Sequence, residues 1–167
     1  MPTVRRTAFA TASLAEITDQ IERVVHPALR EHVRALEAAV AELGPHRPDA
    51  VTLRSLVGQI GVATVAQTDF ESKVLFPRVR AIERARFGEG AWPPGSTPPL
   101  EECRNKLREE HHHLGALLGA LTSDAAGLGA LAEIAAAMAA ELEQATYLEE
   151  DGLFPRGLGL EPHFGLQ

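Results

Sequence analysis

Glu71-Ser-Lys-Val-Leu-Phe-Pro-Arg78 and Glu149-Glu-Asp-Gly-Leu-Phe-Pro-Arg156 are two versions of one octapeptide, and their repetition decides the fold. Each follows a histidine-bearing segment at a distance. His26-Pro-Ala-Leu29 with Val33 and Leu36 matches His111-His-His-Leu114 with Leu118 and Leu121. The chain therefore reads as one helical hairpin written twice. In each copy the proline is expected to stop or kink the helix just beyond the glutamate, because it lacks an N–H and its ring crowds the preceding turn.

Clusters of Gly and Pro cut the chain into four long segments. Ser13 and Glu16 form a capping box that opens a first helix, which runs to Leu43 and stops at Gly44-Pro45. Asp49 or Thr52 caps a second helix reaching Phe87. The stretch Gly88 to Pro99 is a loop, and a third helix follows from Leu100 to Leu121. Thr122 to Gly129 is the next break, and a fourth helix extends to Phe154. No segment shows the alternation of a strand. The expected fold is all-α, an antiparallel four-helix bundle of two repeated hairpins. It spans residues 13–157, between an N-terminal tail (1–12) and a C-terminal tail (158–167).

Composition narrows the function. The 167 residues carry a net charge of −7, and no basic stripe exists to neutralise phosphates, which argues against nucleic acid. No uncharged apolar run approaches the length of a membrane span. The single cysteine, Cys103, excludes an internal disulfide framework and a cysteine-built metal site, and it fits a cytoplasmic setting.

The apolar stripes recur at steps of three and four residues. They are His26, Leu29, Val33, Leu36, Val40, Leu43 in the first helix and Leu53, Val57, Ile60, Thr64, Gln67, Glu71, Val74 in the second. The third gives Leu107, His111, Leu114, Leu118, Leu121. The fourth gives Leu128, Leu131, Ala135, Met138, Leu142, Ala145, Glu149. Each stripe is broken by one ionisable residue: His26, Glu71, His111 or Glu149. A lone carboxylate in a bundle core costs several kcal/mol unless it is compensated. Two carboxylates facing two imidazoles are the donor set of an iron, manganese or zinc site. Glu22, one turn before His26, and Gln67, one turn before Glu71, are further candidate ligands. His32 is expected to be exposed, His112 and His113 point round the third helix, and His46 and His163 lie away from the stripes.

The repeated H…E-x-x-x-L-F-P-R pattern over residues 14 to 157 resembles the hemerythrin-like HHE cation-binding domains, in particular the iron-binding domain of the iron–sulfur cluster repair proteins. The resemblance implies that His26 and His111 match the first histidine of each repeat. It also implies that Glu71 and Glu149 match the carboxylates bridging a non-haem di-iron centre. Gln67 and Ala145 stand where that family has a further histidine. The resemblance implies iron as cofactor, two ions, with manganese or zinc as alternatives. Open metal positions imply a centre reacting with O2 or NO, as an oxidoreductase. The competing expectations are a non-catalytic iron or gas sensor, a storage or stress-response module, and a bundle that has lost its metal.

Overall fold

The computed structural model describes residues 11–44, 47–94 and 98–161. They form four long helices, and no strand occurs among them. Helix α1 covers residues 14–41, as Leu14–Gln20, a π-helical turn Ile21–Val25 and His26–Ala41. Helix α2 covers residues 50–86, with its π turn at Glu71–Leu75. Helix α3, Leu100–Asp124, has none, and α4 covers residues 129–160 with a π turn at Leu148–Leu153.

The local chemistry explains both the starts and the continuations. At α1 the capping box is complete: Glu16 N–H donates to Ser13 Oγ (3.1 Å), and Ser13 N–H donates to Glu16 Oε2 (2.6 Å). At α2 Asp49 occupies the N-cap, but its carboxylate is held by Arg47 at 2.7 Å and bonds no helix N–H. Helix α3 runs three residues past the expected Leu121. Ala125–Leu128 forms the break, with Gly127 at φ 91°, a value that suits glycine.

The prolines do not end their helices. Pro27, Pro77 and Pro155 each follow a π turn closed by an i→i−5 hydrogen bond, from His26 N–H to Ile21 O, Phe76 N–H to Glu71 O and Phe154 N–H to Glu149 O. The wider turn makes room for a ring that would otherwise strike the carbonyl four residues back. Helix α4 thus continues past Phe154 to Leu160, and residues 158–160, expected in a tail, are helical. Of the other expected tail residues, 11, 12 and 161 are described and not helical, while 1–10 and 162–167 lie outside the described residues, as do His46 and His163.

The extra residue in each π turn shifts the apolar stripe by one. After Glu71 the buried positions are Leu75, Phe76, Val79 and Ile82, not Val74, which is half-buried. After Glu149 they are Leu153 and Phe154. Helix α1 packs on α2 and α4, and α3 packs on the same two, so the four close a ring around one core. Phe76 and Phe154, directly after the π turns, are among the largest fully buried side chains. Among the described residues no helix is long and apolar enough to cross a membrane.

Candidate metal centre

Four of the six sequence-predicted residues meet in the middle of this ring, with Gln67 beside them. Glu71 and Glu149 are 0% exposed, Gln67 1%, His26 4% and His111 8%. One donor atom from each of Glu71, His111 and Glu149 lies within 4.8 Å of the others. The π turns take part in this placement. Glu71 and Glu149 supply the carbonyls that close their own turns, which fixes their backbones where the helix is widest.

The two halves use their matching residues differently. In the first, His26 Nε2–H donates to Glu71 Oε2 at 2.7 Å, and the imidazole stacks on Phe76 with centroids 5.9 Å apart. Ser72 Oγ lies 3.4 Å from the other ring nitrogen of His26. In the second, His111 Nε2 stands 3.5 Å from Glu149 Oε2. Gln67 spans the halves: its amide group donates to Glu71 Oε1 (2.8 Å) and to His111 Nε2 (2.8 Å).

The tautomer of His111 follows from its neighbours. The Thr146 hydroxyl gives its one proton to Leu142 O (2.9 Å), so at 3.0 Å it accepts from His111 Nδ1–H. His111 Nε2 therefore keeps its lone pair, aimed at Gln67 and Glu149. Burial holds the His111 imidazole below its ordinary pKa, which favours this neutral form.

Glu149 is the unsatisfied member. No N–H or hydroxyl reaches either of its oxygens, and Gln67 Oε1 is likewise buried without a partner. Burial, followed by the charges of Glu71 and Glu150, pushes the Glu149 carboxyl well above the usual carboxylate range. A buried carboxylate ringed by a second carboxylate and an imidazole lone pair is an arrangement that a cation neutralises.

Glu22 does not join. It lies within the first π turn, where residues five apart stack rather than four, so Ile21 and not Glu22 falls beneath His26. Its carboxylate is turned to Arg80, which also holds Asp19 (2.8 Å). His32 is half-buried rather than exposed, and His112 and His113, turned away from the stripe, are exposed. Reading the stripes missed Thr146, Ser72 and Phe76. Thr146 had a signal: it follows Ala145 as Thr68 follows Gln67 in the repeat. No family model, curated protein or solved structure matches this chain.

Proposed function

We propose that this chain is a non-haem metal-binding protein with the antiparallel, hemerythrin-like arrangement of its two hairpins, and that its centre binds iron and reacts with O2 or NO. The observation that carries the reading is Glu149. It is fully buried, neither oxygen has a donor, and it lies within 4.8 Å of Glu71 and His111. The residues fit the ion: Glu71, His111 and Glu149 would hold it with oxygen and nitrogen donors that suit iron, manganese and zinc.

Bound there, iron would supply Lewis acidity and redox capacity toward a small ligand. The chain's own contribution is positioning and exclusion of water. His26 and Gln67 orient Glu71 through its two oxygens, and Thr146 fixes the His111 ring. Residues no more than 8% exposed favour diatomic reactants over larger substrates.

Metal analysis of protein purified without chelators tests the reading. Bound iron is expected, with an absorption change when the ferrous protein meets O2 or NO. Failure to bind iron, manganese or zinc from added salts would overturn it.

A further inference from the structure

We infer that the centre takes one divalent cation per chain, coordinated by Glu71, His111 and Glu149, with His26 held outside the coordination shell as a positioning residue. This rests on the metal-binding reading above and departs from the two-ion expectation of the sequence.

Charge is the first reason. Deprotonated around an ion, Glu71 and Glu149 would bring two negative charges into the core, and among the described residues they are its only buried carboxylates. One divalent ion cancels them, whereas a second would leave two uncompensated positive charges in low dielectric. The carboxylates that might balance it are engaged elsewhere. Glu22 is paired with Arg80, and Glu150 with Arg104 (2.7 Å) and Arg108 (3.7 Å).

Proton placement is the second. A metal ligand must offer a lone pair. His111 Nε2 does, because Thr146 takes up the Nδ1 proton. His26 turns Nε2–H onto Glu71 Oε2 and leaves its lone pair at Nδ1, on the Ser72 side. Its geometry is that of an imidazole orienting a ligating carboxylate.

The repeat supplies the third. Gln67 places an amide between Glu71 and His111, and its orphaned Oε1 becomes a fourth donor once the amide turns over. The matching position in the other half is Ala145, which has no donor atom. Donors therefore gather on the Gln67 side of the Glu71–Glu149 pair.

The test is loading of the full, chelator-stripped chain with Co2+ under anaerobic conditions, read by native mass spectrometry and by the visible bands of the ion. One Co2+ per chain is expected. His26→Gln should keep one ion with unchanged band positions and bind it about 10- to 100-fold more weakly, while His111→Gln should move the bands. Two ions per wild-type chain, or bands displaced by His26→Gln, would overturn the inference and leave the metal reading standing. No bound ion would overturn both. The wild-type stoichiometry decides even if a variant fails to fold.

Discussion

Glu83 and Glu161 occupy the same place in the two halves, each twelve residues beyond a buried cluster glutamate and each closing the N-terminus of the preceding helix. Glu83, near the end of α2, accepts from Leu14 N–H (2.7 Å) and Ala15 N–H (2.9 Å) at the start of α1. Glu161, just past α4, accepts from Leu100 N–H (3.1 Å) at the start of α3 and binds Arg78. A carboxylate at a helix N-terminus satisfies orphan donors and complements the dipole, and these two do so across helices. The duplication thus extends past the octapeptides and fastens the two ends of each hairpin together.

Removing one of these fasteners should be visible in a melt. Glu83→Ala leaves two part-buried N–H groups without their acceptor and is expected to cost about 1–2 kcal/mol. Thermal denaturation followed by circular dichroism measures it, and an unchanged melting temperature would show that water replaces the carboxylate at no cost.

The two cluster glutamates should respond in opposite ways in metal-free protein. Glu149 has no donor, so Glu149→Gln relieves a buried charge and is expected to stabilise by about 1–2 kcal/mol. Glu71 accepts from His26 and Gln67, so Glu71→Gln is expected to cost about 1–3 kcal/mol. Added ferrous iron or zinc is expected to raise the melting temperature of the parent, and both substitutions should abolish that rise. Equal destabilisation by both would contradict the asymmetry.

The gap between Glu149→Gln and the parent should depend on pH. In the fold the Glu149 carboxyl is raised above the ordinary 4.5, so its proton is held more tightly than in the unfolded chain. Its contribution is complete below pH 4.5 and is lost as pH rises through the folded value. His111, lowered from 6.5, works the other way and costs stability as pH falls below 6.5. Comparing the two metal-free proteins cancels His111. The advantage of the glutamine variant should grow from pH 4.5 upward, and a flat difference between pH 4.5 and 8 would refute this.

Phe76 couples packing to the centre. Phe76→Ala empties a fully buried site and should cost roughly 3–5 kcal/mol. Because the ring also stacks on His26, the variant should bind zinc more weakly under conditions where it is still folded. Calorimetric titration at low temperature would detect that loss, and unaltered affinity would confine Phe76 to packing.

Stabilisation is expected at the exposed glycines of α3. A methyl group added at Gly115 or Gly119 meets nothing within 4 Å. Replacing either by Ala should add about 0.5–1 kcal/mol through helix propensity. Melts of the single and double variants measure this, with the double expected near the sum.

The sequence carried the four helices because proline and glycine fall between them and the apolar stripes run at helical spacing. It carried His26, Glu71, His111 and Glu149 because an ionisable group on an apolar face stands out. It did not carry the π turns. A pattern of threes and fours has no place for one extra residue, so Val74 was expected where Leu75 is buried, and Glu22 where Ile21 lies. Nor did it reveal that Arg80 draws Glu22 away, that Thr146 sets the tautomer of His111, or that His26 presents a proton to Glu71. Those outcomes depend on partners 35 to 58 residues apart in the chain.

Glu71 comes from the first hairpin, and His111 and Glu149 come from the second. Neither half alone owns the full set of Glu71, His111 and Glu149, so the proposed affinity for a cation would be a property of the closed ring and not of any segment of it. If a cation binds there as proposed, linkage would lower the fraction of chains in which the ring is open as the available cation rises. Metal supply would then shift the balance between folded and unfolded chain, whatever chemistry the ion also performs.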